Sequence, residues 1–113
     1  MGKFEIEELD KGYIVKPVGN IMSSEDAENF QEIIDKIADS DKNNLIIDFS
    51  ETALLGSLLL GHLVRVQAHF DRKDGKIAFC RFPESVDKVL KMTRINTIIN
   101  TYDSLESAQT IFK

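Results

Sequence analysis

The segment that decides the fold runs from Asp48 to Gly61 and reads DFSETALLGSLLLG. Three apolar residues before it, Leu45, Ile46 and Ile47, predict a strand that is covered on both faces. The leucines after Ser57 recur at helical spacing, so a helix should begin close to this serine. The segment is therefore a predicted strand-to-helix junction, and we expect the functional site there.

Ser57 has two interpretations at this junction. Its hydroxyl could cap the helix in a turn that Gly56 allows, a contribution of about 1 kcal/mol. It could instead be a regulated hydroxyl, because the amides and the dipole of a helix start also favour a phosphate group. A phosphate would add about −1.5 to −2 charges, so the domain would stay folded while a docked partner is repelled. Both interpretations remain open at the level of the sequence.

Length and composition are those of a small soluble protein. The chain has 113 residues, and we expect residues 1–113 to form one domain without linker or repeat. Hydrophobic residues make up 42% and charged residues 29%, which is typical of globular proteins. No apolar segment is long enough to cross a membrane, and the start of the chain lacks the apolar region of a secretory signal. We therefore expect a cytoplasmic protein.

Charge and metal-binding residues exclude several classes of function. The net charge is −5 and the 14 basic residues are scattered, which argues against nucleic-acid or membrane binding and favours a protein partner. Cys80 is the only cysteine, so neither an intrachain disulfide nor a thiolate metal cluster is expected. His62 and His69 lie about two helical turns apart, too far to share a metal ion. We predict no metal and no cofactor.

The rest of the chain alternates between strands and helices. Strands are predicted over residues 4–9, 13–18, 45–49, 77–82 and 97–101. Helices are predicted to begin at Ser23 or Ser24, at Ser57, after Pro83 and at Ser104. In the short helix after Pro83 the predicted inward residues are Val86, Val89, Leu90 and Thr93. The class is α/β, with a mostly parallel sheet, an antiparallel N-terminal strand and about four helices.

Loops that follow successive parallel strands gather at one end of such a sheet. The loop from Asn20 to Ser24 and the helix opening from Gly56 to His62 should therefore lie side by side. A helix buries only one stripe, so at least one of Leu55, Leu58, Leu59 and Leu60 should face outward near the loop and mark a contact surface. The alternative is that the loop after Ile21 and the next helix cover the opening turn on both sides. The predicted partner-binding residues are Asn20, Ile21, Ser23, Ser24, Gly56, Ser57, Leu58, Leu59 and His62.

The order of elements and several segments resemble the STAS domain family of bacterial anti-sigma-factor antagonists, over nearly the whole chain. The family's loop starts with Asp-Leu-Ser and continues, after a few residues, with Asp-Ser-Ser-Gly-Leu-Gly. Asp48-Phe49-Ser50 matches the start, Leu60-Gly61 matches the end, and Ser57 falls on the first serine, which partner kinases phosphorylate in the family. Residues 86–99 and 102–108 are also similar to the family, and Gly19-Asn20-Ile21 resembles its Gly-Glu-Leu-Asp segment.

The loop departs from the family's motif at three positions around Ser57. Gly56 stands in place of aspartate, Leu58 in place of the second serine and Leu59 in place of glycine. Only the phosphoacceptor position of the four-residue signature remains, so the phosphorylation motif is degenerate. Arg94 also replaces a glycine that is common before the last strand of the family.

The resemblance implies a partner-switching regulator. Such a protein would antagonise an anti-sigma factor or a kinase-like regulator by binding it, under control of Ser57 phosphorylation. The alternative is a STAS scaffold, or a subunit of another complex, without phosphorylation. An enzyme is not expected, because no nucleophile, base and orienting acid occur together.

Asp48 resembles the phosphoacceptor of response-regulator receivers, but Asn20 stands where receivers need acidic residues, so Asp48 should hydrogen-bond within its loop. The oligomeric state is not indicated.

Overall fold

The computed structural model describes residues 3–112. Its strands are β1 (Phe4–Glu8), β2 (Tyr13–Pro17), β3 (Gly19–Ile21), β4 (Asn44–Asp48), β5 (Thr52–Leu55), β6 (Lys76–Cys80) and β7 (Thr101–Tyr102). Its α-helices are α1 (Ser24–Ala38), α2 (Ser57–Arg72), α3 (Glu84–Met92) and α4 (Leu105–Ala108). Two 3-10 helices cover Ile95–Thr97 and Gln109–Phe112.

The main sheet contains five strands in the order β1-β2-β4-β6-β7. β1 pairs with β2 in antiparallel orientation, and the other neighbours are parallel. β3 and β5 form a separate two-stranded parallel sheet. The predicted α/β class, with a mostly parallel sheet, an antiparallel N-terminal strand and about four helices, is confirmed.

Strand β4 lies at the centre of the main sheet and is buried on both faces, as predicted. Leu45 and Ile47 belong to the core under α1 and α2, whereas Ile46 belongs to the smaller core under α4. All three side chains have 0% exposure. Burying a side chain of this size stabilises the fold by about 1.5–3 kcal/mol relative to leaving it in water. The apolar run before Asp48 therefore anchors the strand that leads into the functional segment.

The two long helices pack on the same face of the main sheet. The buried stripe of α1 contains Ala27, Phe30, Ile34 and Ile37. The buried stripe of α2 contains Leu59, Leu63, Val66 and Phe70, the set that helical spacing predicts. No helix within residues 3–112 combines the length and the apolar character needed to cross a membrane.

All five predicted strands differ from the observed ones at one or both ends, and the backbone explains the difference for three of them. The prediction over 13–18 covers β2 only, because Gly19 has a φ of +83° and β3 then leaves the main sheet for β5. The strand predicted over 77–82 ends at Cys80, because Arg81 has a φ of +57°. The last strand is predicted over 97–101 but consists of Thr101–Tyr102, because the preceding residues form a 3-10 helix and a turn.

The region after Pro83 differs from the sequence prediction in two ways. Val86 and Leu90 are buried as predicted, but Val89 and Thr93 are exposed, because α3 buries only a narrow stripe. Arg94 follows α3 with φ 64° and ψ 15°, a left-handed conformation. This conformation costs a non-glycine residue about 1–2 kcal/mol.

Candidate functional site

The β3–β5 pair brings two distant loop segments together at one end of the molecule. Gly19 donates its backbone N–H to the carbonyl of Glu51 at 2.9 Å, and Gly56 donates to the carbonyl of Ile21 at 2.9 Å. The loop from Asn20 to Ser24 and the start of α2 therefore lie side by side, and this predicted arrangement is confirmed.

Gly56 fills a position that has little room for a side chain. A Cβ atom on this residue would lie 3.3 Å from both the Cα and the carbonyl oxygen of Met22. Its φ of −71° is open to any residue, so the close approach of the Met22 backbone is what favours glycine here. The missing side chain lets the two loop segments touch through their backbones.

Ser57 is the first residue of α2, and the residue before it occupies the cap position. Gly56 is the N-cap, with ψ 156°, and no side chain hydrogen-bonds to the first-turn amides. The interpretation of Ser57 as the capping residue is therefore wrong: a helix needs its cap one position earlier, and Gly56 has no side chain to offer. The side chain of Ser57 is exposed. Its hydroxyl is thus available to a reagent or a partner.

The exposed side chains around Ser57 are unusually apolar. Met22, Leu54 and Leu58 are 53%, 50% and 49% exposed, and we call these three residues the apolar rim. Leu54 lies in β5, Met22 directly follows β3, and Leu58 lies in the first turn of α2. Exposed large apolar residues near one another are typical of contact surfaces. The predicted outward leucine is therefore Leu58.

Three residues of the predicted binding surface are buried. Ile21 and Leu59 have 0% and 1% exposure, because both side chains point into the core under α1 and α2. Gly56 is buried against Met22. These residues support the surface from below. The prediction that they contact the partner directly is therefore wrong. Asn20, Ser23, Ser24, Ser57 and Leu58 are exposed, and His62 is half-buried.

The loop before α1 is fastened by a buried carboxylate that the sequence prediction missed. Asp26 Oδ2 accepts hydrogen bonds from the backbone amides of Met22 at 3.1 Å and Ser23 at 3.3 Å, and from Lys3 Nζ at 3.0 Å. Ser23 Oγ accepts in return from the Asp26 amide at 3.0 Å, which completes a capping box. Lys3 Nζ also donates to the carbonyl of Asn20. The signal for this arrangement was the spacing of Ser23 and Asp26.

The pKa of Asp26 reflects a balance between burial of the carboxylate and the hydrogen bonds that it accepts. Burial on its own would raise the pKa, but the hydrogen bonds from Lys3, Ser23 and Met22 outweigh it and lower the pKa below its ordinary value. Asp26 is therefore ionised at neutral pH and acts as an acceptor for every neighbour that donates to it.

Asp48 forms a second buried anchor, beneath the loop that leads to β5. Its side chain is fully buried, and Oδ1 accepts from the Ser50 amide at 3.0 Å and from Arg81 Nε at 2.9 Å, while Arg81 Nη2 donates to Oδ2. Burial would raise the pKa of Asp48, but these hydrogen bonds lower it overall. The contact with Ser50 matches the predicted role within the loop. The pairing with Arg81 gave no signal in the sequence, because it joins strands β4 and β6 through residues far apart in the chain.

His62 is linked to α1 through a chain of polar side chains. Its Nδ1 lies 2.7 Å from Gln31 Oε1, and Gln31 Nε2 donates to Asp35 Oδ1 at 2.8 Å. Asp35 Oδ1 also lies 3.0 Å from Nδ1 of His69, about two turns further along α2. Burial and the positive charge of Arg65 lower the pKa of His62, with Asp35 opposing them.

The described residues offer no metal centre and no activated thiol. Within residues 3–112, no group of three His, Cys, Asp or Glu side chains is placed to hold a metal ion. Cys80 is fully buried in β6, and burial raises the pKa of its thiol to about 12. Cys80 therefore acts as a small core residue.

The chain belongs to the STAS domain family. The family model of the STAS domain matches residues 3–108, which is nearly the whole chain. The fold and the serine-led start of α2 agree with the resemblance seen in the sequence.

Solved structures with the same fold include several anti-sigma factor antagonists. A candidate anti-sigma factor antagonist from Thermotoga maritima has 23% identity and a TM-score of 0.84, with 96% of this chain and 93% of that chain covered. An anti-sigma factor antagonist from Mycobacterium paratuberculosis has 20% identity and a TM-score of 0.79, with coverage of 95% and 90%. Phosphorylated SpoIIAA from Bacillus has 12% identity and a TM-score of 0.74, with coverage of 96% and 98%. At these identities the similarity establishes the fold.

Proposed function

We propose that this protein is an anti-sigma-factor antagonist, or a related partner-switching regulator, that binds an anti-sigma factor or a kinase-like protein and does not act as an enzyme. The observation that supports this most strongly is the exposed Ser57 on the first turn of α2, flanked by the apolar rim. The binding surface would consist of Asn20, Ser23, Ser24, Ser57, Leu58 and His62 with the apolar rim. Its place of action would be the cytoplasm, where sigma factors work.

Phosphorylation of Ser57 is the proposed control. A phosphate at the first residue of α2 would face the positive end of the helix dipole, and the first turn of α2 contains no acidic residue to repel it. The fold should therefore tolerate the modification. The same charge, placed beside Met22 and Leu58, would have to lose its hydration when a partner covers the apolar rim, so binding should be lost. Structures of SpoIIAA exist for an unphosphorylated and a phosphorylated form, which makes the same switch plausible for this fold.

An unregulated STAS scaffold is the second candidate, and the residues beside Ser57 favour it. Gly56 offers no carboxylate where the family has aspartate, and Leu59 is buried in the core where the family has glycine. A kinase that recognises the aspartate and the glycine of the family's motif would find neither residue beside Ser57. In this case the same surface would bind a partner permanently.

Substitution of Leu58 tests the binding surface. Leu58→Glu should abolish binding of an anti-sigma factor from the same organism, with little loss of stability, because the side chain is half exposed. Val89→Glu is the matched control: Val89 is 39% exposed on α3, outside the proposed surface, and its substitution should leave binding unchanged. Calorimetric titration measures both. Equal binding by the two variants would remove the surface assignment.

Kinase treatment separates the two candidates. The protein is incubated with ATP and an anti-sigma kinase from the same organism, and the phosphate is located by mass spectrometry. We expect it on Ser57, and we expect no incorporation in Ser57→Ala, while Ser85→Ala serves as a control on an exposed serine of α3. Phosphate on another residue, or none with an active kinase, would favour the scaffold.

A further inference from the structure

The polar chain between α1 and α2 determines which nitrogen of His62 holds the proton. Gln31 directs its NH₂ group to Asp35, whose Oδ1 accepts the hydrogen bond at 2.8 Å. The carbonyl oxygen of Gln31 then points at His62 Nδ1, at 2.7 Å, and an oxygen can only accept. A neutral His62 must therefore hold its proton on Nδ1 and have a bare lone pair on Nε2.

The Nε2 atom of His62 is not fully buried. Among residues 3–112 this atom has no hydrogen-bond partner. Every fully buried side-chain nitrogen or oxygen of a residue that is itself not exposed does have a partner within the same residues. Nε2 is therefore accessible, although the ring as a whole is half-buried. Its helix position is one turn beyond Leu58, on the same side of α2. The lone pair thus belongs to the surface that the proposed function assigns to the partner.

Burial and Arg65 lower the pKa of His62, so the ring is neutral at pH 7 and the lone pair is present under ordinary conditions. Gln31 fixes the ring's rotation as well as its tautomer, because one edge is already hydrogen-bonded. An acceptor held in this way loses little conformational freedom when a donor arrives.

We propose that His62 determines partner specificity by accepting, through Nε2, a hydrogen bond from an N–H or O–H group of the bound protein. The inference rests on the proposed function for the existence of that partner. It adds a polar contact to a surface that is otherwise apolar. A partner with a neutral carbonyl oxygen at this point would place two acceptors face to face and would bind more weakly.

The tautomer is tested on the protein alone. Nitrogen-15 NMR of the imidazole rings at pH 7 should show His62 with a protonated Nδ1 and a bare Nε2. Gln31→Met removes the acceptor and should allow the proton to move to Nε2, and the spectrum of the unmodified protein serves as the reference. A proton on Nε2 in the unmodified protein would overturn the inference.

The partner contact is tested with two complementary variants. His62→Asn keeps a donor toward Gln31 but removes the outer acceptor, and it should weaken binding of an anti-sigma factor from the same organism by about threefold to tenfold, the value of one hydrogen bond. His62→Gln places an amide oxygen near the Nε2 position and should bind more tightly than His62→Asn. Thermal melting confirms that both variants fold.

Leu58→Glu distinguishes failure of this inference from failure of the proposed function. If Leu58→Glu abolishes binding and His62→Asn binds like the unmodified protein, the binding surface is supported and the role of His62 is overturned. If Leu58→Glu binds normally, the proposed surface is wrong, and the partner contact of His62 is overturned with it.

Discussion

Helices α1 and α2 begin side by side at the same end of the molecule, and they begin differently. The start of α1 has a reciprocal capping box and two acidic residues, Glu25 and Asp26. The start of α2 has a glycine at the cap, no side-chain acceptor and no acidic residue. The first helix is therefore stabilised by its own side chains, whereas the second depends on backbone pairing of Gly56 with Ile21 and on the buried Leu59. Stability is concentrated at one helix start, and the other keeps its surface available for binding.

Among the substitutions at the two helix starts, Asp26→Ala should lower the free energy of unfolding the most. It leaves the amides of Met22 and Ser23 and the ammonium of Lys3 without their shared acceptor, so the free energy of unfolding should fall by about 2–3 kcal/mol. Urea denaturation measures it. A loss below about 0.5 kcal/mol, typical of an ordinary surface position, would contradict the idea that this carboxylate anchors the start of α1.

Acid should remove the same contribution. The pKa of Asp26 is lower in the folded protein, so its stabilisation is complete above the unfolded pKa near 4 and is lost as pH falls through the lower folded value. The stability gap between the unmodified protein and Asp26→Asn should thus be constant from pH 7 to 5 and narrow below pH 4. Asp48 titrates in both proteins, so the difference isolates Asp26. If the stability difference between the two proteins stays constant down to pH 3, the stabilisation does not depend on the ionisation of Asp26.

Ser23→Ala removes one half of the capping box and should cost about 1 kcal/mol. Ser23→Asp, which keeps an acceptor at the cap, should retain most of the stability. Chemical denaturation of the two variants provides the comparison. Equal losses in both would show that the hydroxyl, and not its role as acceptor, matters.

Ser57→Ala is the counterpart on α2 and should have the smallest effect, within about 0.5 kcal/mol, because Ser57 is exposed and does not cap the helix. A thermal shift measurement is sufficient. A loss as large as that of Ser23→Ala would mean that Ser57 takes part in capping after all, and the contrast between the two helix starts would disappear.

The sequence predicted the features that depend on local periodicity. The apolar run at Leu45–Ile47 and the helical spacing of the leucines after Ser57 gave β4, α2 and their buried faces correctly. β5 was not predicted, because Thr52–Leu55 pairs only with the short β3 and has two exposed residues. Ile98 and Ile99 suggested a strand, yet the left-handed Arg94 starts a 3-10 turn there instead.

The site was predicted less completely than the fold, for a related reason. The order of strands predicted that Asn20 and Ser57 would lie close together, because loops that follow successive parallel strands gather at one end of the sheet. Burial could not be assigned residue by residue, so Ile21 and Leu59 were expected at the surface. The contacts of Asp48 with Arg81 and of His62 with Gln31 join elements that are distant in the chain, and no local pattern reports such pairs.

The small β3–β5 sheet has a consequence for how the surface moves. Because these strands pair with each other and lie outside the main sheet, their hydrogen bonds can open together without breaking the sheet beneath. The amides of Gly19 and Gly56, which close the two ends of this pair, should then exchange with solvent through one shared opening event that needs less free energy than global unfolding. A partner that contacts both the Asn20–Ser24 loop and α2 would hold this unit shut, so its arrival should be visible as a common slowing of hydrogen exchange at both amides.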